Sequence, residues 1–439
     1  MTTGTEDATL WDAEVEAMPR ERLREVQGEA LARQVAHVYA NGRLQRELYD
    51  AAGVRPADIA TVDDLTRLPL FTKEHIRAAR DASGDIFGGT ACVPVDQLRL
   101  VNHSTGTSGA PTVYGLTATD TERVADIFAR SMHGIGLRRG DRTLVAANSF
   151  WHGWVIGFEM GLQHLGAVPF RVSCSAATCV EKQFGGWRQA DLTALRTFIP
   201  ELEMSIFEKD DIDPRAIFPN ARFVYAAIDV SAPKRRIIER IFGLPFRNMM
   251  GSGDQFFIGA ECAHSAPYYH MPEDYFVFEV IDPVTEQPVP PGGVGELVVT
   301  NLWAEAFPYL RYRMGDIVTY ENDPCPCGRT SMRMKVLGRL PWSVRVGGVR
   351  IFHGEVENVL WNRPEMEGAK YQLVRRRSQP QEALEVRVGP RSPVSSDVAE
   401  ATRLEMSAAF DVPVVLTVVD PGELGLQNLI KMERLIEID

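Results

Sequence analysis

The chain is poor in cysteine, in net positive charge and in long apolar runs. Six cysteines among 439 residues do not make a disulfide framework. Basic side chains number 47 against 59 acidic ones, a formal charge of −12. That balance argues against nucleic acid or an anionic membrane as the main partner. No apolar run approaches the roughly 20 residues needed to span a bilayer. The longest candidate, Val155 to Val172, is broken by Glu159, Gln163, His164 and Pro169. Residues 1–20 hold several acids and no apolar h-region, so a signal peptide is not expected and a cytoplasmic location is the default. Internal repeats and low-complexity tracts are also missing.

What is present is ordinary in bulk and unusual in detail. Hydrophobic residues make up 45% and charged residues 24%, as in a soluble globular protein of two or three domains. The unusual detail is Ser104-Thr105-Gly106-Thr107-Ser108-Gly109-Ala110-Pro111-Thr112, directly after the apolar run Leu98 to Val101. Glycine lets the backbone curl so that successive N–H groups point into one concavity, and the hydroxyls add donors around it. A phosphate chain is the natural guest. No Gly-Lys-Ser/Thr closes the loop, so it is not a Walker loop.

Residues 11–50 read as helical, with Leu23, Val26, Ala30, Leu31, Val35, Val38 and Tyr39 at helical spacing. A further helix starts near Thr72-Lys73-Glu74. Helices at 120–136 and 153–165 flank a strand at 143–147, and a strand at 222–227 precedes a helix at 234–242. This alternation predicts an α/β sheet. Beyond residue 270 the style changes. Strands at 275–281 and 296–300 form a hairpin with a long, turn-rich loop. Arg333 to Glu357 reads as short strands around Gly347-Gly348, and the last 80 or so residues as a small α+β unit.

Several motifs then fall in the order found in adenylate-forming enzymes: the glycine-hydroxyl loop, Tyr312-Arg313-Met314-Gly315-Asp316-Ile317, Gly338-Arg339, Gly348-Val349-Arg350-Ile351-Phe352, and Lys431. The chain most resembles the phenylacetate–coenzyme A ligase family. Further marks are Leu65-Thr66-Arg67-Leu68-Pro69-Leu70-Phe71-Thr72-Lys73-Glu74, Cys262 with His270, Arg311-Tyr312-Arg313, and Cys325-Pro326-Cys327-Gly328-Arg329. The resemblance implies a large N-terminal adenylation domain (1–337) of mixed sheets and helices. A small mobile α+β domain (338–439) would carry the catalytic lysine.

It also implies roles. Ser104, Thr105, Gly106, Thr107, Ser108 and Gly109 would hold the β- and γ-phosphates of ATP. Ala227, Met250, Gly251 and Ser252 would border the nucleotide. Asp316 would accept from the ribose hydroxyls, and Arg339 would contact ribose or phosphate. Lys431 would reach the α-phosphate and the substrate carboxylate. Asp254 would be a magnesium ligand. Cys262, His270, Cys325 and Cys327 would bind a structural zinc, with His264 as a competing ligand. Phe150, Trp151, His152, Trp154, Ala226, Ala227, Met250 and Gly251 would line a pocket for a flat aromatic acid. Coenzyme A would be the acceptor, and a homodimer the assembly.

The chain departs from the family pattern in places. Ala110 stands where lysine is common, so magnesium or another side chain must supply the charge. Asp254 replaces glutamate and Met250 replaces tyrosine. Ala226-Ala227-Ile228-Asp229 replaces Gly-Ala-Glu-Pro. The hinge reads Gly338-Arg339-Leu340-Pro341-Trp342, and proline restricts its backbone. These changes keep two alternatives in view. One is the same ATP chemistry with another acceptor or acid, giving an amide or a nitrite-dependent diazotisation of an aminoaryl acid. The other is a non-catalytic nucleotide-binding homologue.

Overall fold

The computed structural model describes residues 9–104, 110–146, 153–172, 190–197, 213–377, 381–424 and 434–438. Helix boundaries follow local chemistry. The helical stretch near the N-terminus is divided: Ala13–Glu16, Arg20–Asn41 and Arg43–Ala51, with breaks at Pro19 and Gly42. The helix Ala118–Ile135 begins at Thr117, whose hydroxyl accepts from Asp120 N while the Asp120 carboxylate accepts from Thr117 N. It ends at Gly136, in the left-handed region at φ 109°. Asp120 also accepts from the backbone N–H groups of Glu305 and Ala306. The cap therefore fastens a distant loop as well.

That buried helix packs on Gly153–Leu165, which links the parallel strands Arg142–Ala146 and Val168–Val172. The contact depends on glycine. A Cβ on Gly157 or Gly161 would come within 2.5 Å of Phe128.

Among the described residues the main sheet has nine strands. Across it run Phe276–Ile281, Val294–Asn301, Tyr312–Glu321, Arg333–Arg339, Tyr269–His270, Phe257–Ala260, Phe246–Ser252, Val224–Ala226 and Leu195–Arg196. The pairs at the 195–224–246 end are parallel, and the remaining pairs are antiparallel. The hairpin expected from residue 275 onward is present as 276–281 paired with 294–301.

Past Arg339 the chain makes a 3₁₀ turn, Leu340–Trp342. The hairpin Ser343–Val346 with Val349–Phe352 follows, turning at Gly347-Gly348. The strand expectation up to Glu357 needs correction. His353–Leu360 is a helix, entered through a bond from Phe352 N to the Glu355 carboxylate. A separate four-stranded sheet, in the order 414–418, 384–389, 370–376 and 435–438, closes the smaller C-terminal part. Its apolar core includes Val356, Leu360, Tyr371, Leu373, Val386 and Met406. Gly338 lies under this part: a Cβ there would meet the Phe352 ring at 2.5 Å. No described helix is long and apolar enough to cross a membrane.

Candidate functional site

The cleft is built where the edge of the glycine-hydroxyl loop, the strand Tyr312–Glu321 and the strand Phe246–Ser252 converge. Thr105 to Gly109, Phe150, Trp151, His152 and Lys431 lie outside the described residues. The base of the loop is described. Ser104 N donates to Thr112 O at 2.9 Å, and the Ser104 hydroxyl accepts from Thr112 N at 3.0 Å. The two ends of the loop are therefore tied together.

Asp316 and Arg339 face one another on adjacent antiparallel strands. Arg339 Nε lies 3.1 Å from Asp316 Oδ1. Arg339 also donates to Met314 O at 3.2 Å and stacks over the Trp342 ring. Burial raises the Asp316 pKa, and Arg339 opposes that rise without cancelling it.

Asp254 has the opposite balance. Burial works to raise its pKa, but Lys73 and the Ser252 hydroxyl outweigh it and hold the carboxyl at about 2. Lys73 Nζ is 2.9 Å from Asp254 Oδ2. Tyr312 donates its hydroxyl to the same oxygen at 3.2 Å, and Ser252 donates to Oδ1. Lys73 also acts on Asp316, and Asp254 acts on Arg339. These four charges share one electrostatic environment.

The route by which Lys73 arrives explains the motif at 65–74. Phe71 bridges to Tyr312 in parallel register, with Phe71 N donating to Arg311 O and Arg313 N to Phe71 O, both at 2.9 Å. Arg311 donates to Leu68 O at 2.7 Å and pairs with Glu279 at 3.1 Å. The segment is thus laid along the strand that carries Asp316. Thr72 then caps the helix Lys73–Ser83. Lys73 is legible in the sequence as a helix start and a family mark, and Tyr312 as a family mark, but neither as a partner of Asp254. The usable signal was Ala110, an uncharged residue where a cation was needed.

Trp154 packs on Phe128 and Phe158, with ring centroids 5.6 and 5.4 Å away. Its ring fills the space a Gly251 side chain would take, since a Cβ there would fall 2.7 Å from it. Met250 is partly buried against the main hydrophobic core. Ala226 is fully buried in the core with Leu144, Val224 and Phe246, so it does not line the open pocket expected of it. Ala227 is partly buried, and the next residue, Ile228, is pinned by Asn248, which donates to Ile228 O at 2.8 Å.

The second site is the cysteine cluster. Ligand atoms of Cys262, His270, Cys325 and Cys327 all lie within 4.8 Å of one another, and all four residues are buried. Cys262 Sγ is 3.7 Å from Cys325 Sγ, and Cys327 Sγ is 3.5 Å from His270 Nε2. A tetrahedral zinc with Zn–S near 2.3 Å and Zn–N near 2.0 Å has edges of roughly 3.8 and 3.5 Å. The donor set therefore fits zinc. His264 is exposed and contributes its backbone N–H to Cys262 Sγ, so the imidazole of the cluster is that of His270. Its Nδ1 lies 3.2 Å from the Ser331 hydroxyl, which orients the ring. Arg329 donates toward Cys327 Sγ and pairs with Glu16 at 2.6 Å. That pairing fastens the N-terminal segment to the cluster. Among the described residues this is the one grouping of three or more candidate metal-ligating side chains. Asp254 has no such company.

No family model matches the chain. It is 30% identical to the phenylacetate–coenzyme A ligase of Thermus thermophilus, over 98% of this chain and 99% of that one. It is 29% identical to the phenylacetate–coenzyme A ligase of Aromatoleum evansii, over 80% and 78% of the two chains. In three dimensions it resembles a 2-hydroxyisobutyryl-CoA ligase in the postadenylation state. The TM-score is 0.90 at 21% identity, covering all of this chain and 94% of the other.

Proposed function

Since the chain belongs to the phenylacetate–coenzyme A ligase family of AMP-forming ligases, we propose that it activates an aromatic carboxylic acid with ATP and passes the acyl group to coenzyme A. A carboxylate oxygen attacks the α-phosphorus as the bond to pyrophosphate breaks, giving an acyl adenylate. The thiol of coenzyme A then attacks the acyl carbon, AMP leaves, and the thiol proton passes to solvent. Charge builds on phosphate oxygens in the first step, so fixed donors and cations carry the catalysis.

The observation behind this reading is the coupling of Asp316–Arg339 to Lys73–Asp254 in one cleft. Asp316 accepts from two ribose hydroxyls in this reading. Arg339 holds it and offers its remaining donors to the nucleotide. Ser104 to Gly109 receive the phosphates, and Lys431 supplies a mobile charge for the α-phosphate and the acid. Ala227, Met250, Gly251 and Ser252 border the nucleotide. Phe150, Trp151, His152 and Trp154, with Ala227, Met250 and Gly251, form the acyl pocket. An aromatic wall suits a flat ring.

Magnesium fits Asp254 poorly, because both carboxylate oxygens already have partners. The ion would enter on the triphosphate. Zinc would be held by Cys262, His270, Cys325 and Cys327 as a closed structural site. Residues 1–337 and 338–439 would then act as adenylation domain and small lysine-bearing domain.

Pyrophosphate release is the test, measured across benzoates, phenylacetates, cinnamates and aminoaryl acids, with coenzyme A, an amine or nitrite as second substrate. An aryl acid should release pyrophosphate, and a thioester should form only with coenzyme A. An amide or diazonium product would reassign the acceptor. Lys431→Ala should abolish release; an unaffected variant would point to a nucleotide-binding protein without this chemistry.

A further inference from the structure

The hinge Gly338-Arg339-Leu340-Pro341-Trp342 departs from the family pattern, and the reaction proposed above gives its tryptophan no task. Arg339 ends the strand that pairs with Asp316, and Trp342 closes the 3₁₀ turn that follows. The two side chains meet across that turn. The guanidinium carbon of Arg339 lies 5.2 Å from the centroid of the Trp342 ring. The pair with Asp316 does not by itself orient the guanidinium. Arg339 Nε lies 3.1 Å from Asp316 Oδ1, yet this buried nitrogen is not aligned for a hydrogen bond. The bond from Arg339 Nη2 to Met314 O, at 3.2 Å, fixes one nitrogen but not the plane of the group. The indole itself is held from the C-terminal part. Arg375, on the strand 370–376, donates to Pro341 O at 2.9 Å and to Ser343 O at 3.4 Å, on either side of Trp342. The Ser343 hydroxyl donates back to Leu340 O at 2.8 Å. The turn also lies against the strand of Asp316, since a Cβ on Gly315 would fall 3.8 Å from Pro341 Cδ.

We propose that Trp342 is a positioning residue for Arg339: its ring fixes the plane of the guanidinium, so that Arg339 and Asp316 are presented together to the nucleotide. This rests on the adenylation reading, in which that pair holds the nucleotide. An aromatic face attracts a guanidinium through its quadrupole. The N–H groups of a guanidinium lie in its plane, so a ring stacked on one face leaves them available to oxygen acceptors. An acid in place of Trp342 would draw those donors toward itself; an indole takes none of them. The ring thus supplies the orientation that the Asp316 contact lacks.

The test is calorimetric titration of the full-length protein with ATP. Trp342→Leu keeps an apolar side chain but removes the ring, and should weaken ATP about fivefold, as expected for a lost cation–π contact. Trp342→Met, unbranched and equally without a ring, should match it. Trp342→Phe restores an aromatic face and should stay within about twofold of wild type. In an Arg339→Met background, Trp342→Leu should cost nothing further, because the group it acts through is gone. Wild-type affinity in Trp342→Leu and Trp342→Met would overturn the proposal. So would equal losses in the Leu and Phe variants, or a loss of the same size with and without Arg339, since bulk rather than the ring would then be at work. A wild-type protein that binds no ATP and releases no pyrophosphate with any acid of the panel would instead defeat the adenylation reading, and this proposal with it.

Discussion

The cleft and the cysteine cluster solve the problem of gathered charge in opposite ways. In the cleft the two buried acids each have a cation: Asp254 has Lys73, and Asp316 has Arg339. Both cations keep about a quarter to a third of their side chains exposed, 27% and 31%. In the cluster, three thiols and an imidazole are buried together. The guanidinium groups nearby are themselves paired, Arg329 with Glu16 and Arg333 with Glu321. The cleft is balanced and open, so a ligand can exchange partners there. The cluster is closed and short of positive charge, so it calls for a resident cation. Openness with prearranged charge suits turnover; closure with convergent soft donors suits a staple.

Removing a thiolate tests that division most severely. Cys325→Ser should release the bound metal, read by elemental analysis, and lower the unfolding free energy on the order of 4 kcal/mol, as losses of a metal site do. At a temperature where the variant stays folded, pyrophosphate release should persist. If activity instead falls in step with metal content under those conditions, the cluster belongs to the chemistry and the contrast breaks.

The next largest effect lies in the cleft. Asp316→Ala should raise the KM for ATP about 100-fold, because two charge-assisted hydrogen bonds are lost and Arg339 is left without its partner. Unfolding stability should change far less than in Cys325→Ser. A variant with unchanged KM and lowered stability would make Asp316 another structural pair.

The two regions also differ in how far they could be read from sequence. The cysteines and His270 were legible through the family resemblance, which left His264 as a competing ligand. What sets His264 aside was not legible, since His270 is held by strand pairing of Tyr269–His270 with Arg333 and Met334. Asp316 and Arg339 were legible as motifs, and their contact follows from antiparallel register. Lys73 and Asp254 were not legible as a pair. Their meeting depends on Phe71 bridging to Tyr312, a tertiary contact with no local pattern. Secondary structure failed in the same way. The helix Ala118–Ile135 starts where Thr117 and Asp120 cap it, a local signal. His353–Leu360 was hidden because the apolar residues before it already alternate as a strand.

The finest comparison is between the two acids of the cleft, and pH separates them. The folded pKa of Asp254 is depressed to about 2, against an unfolded value near 3.9. Its contribution, on the order of 2 kcal/mol at about 1.36 kcal/mol per unit, is fully present above the unfolded pKa. It is lost as pH falls through the folded one. Asp316 has its folded pKa raised, so its ionised form opposes folding at neutral pH. That penalty is relieved as the carboxyl protonates on acidification. Denaturant unfolding of Asp254→Asn should therefore show a deficit at pH 7 that narrows below about pH 4 and closes near pH 2. Asp316→Asn should show no deficit of that kind, and any advantage over wild type should shrink toward acid. Parallel pH profiles for the two variants would mean that both acids are held alike, and the cleft would lose the asymmetry that leaves Lys73 anchored and Asp316 ready to accept.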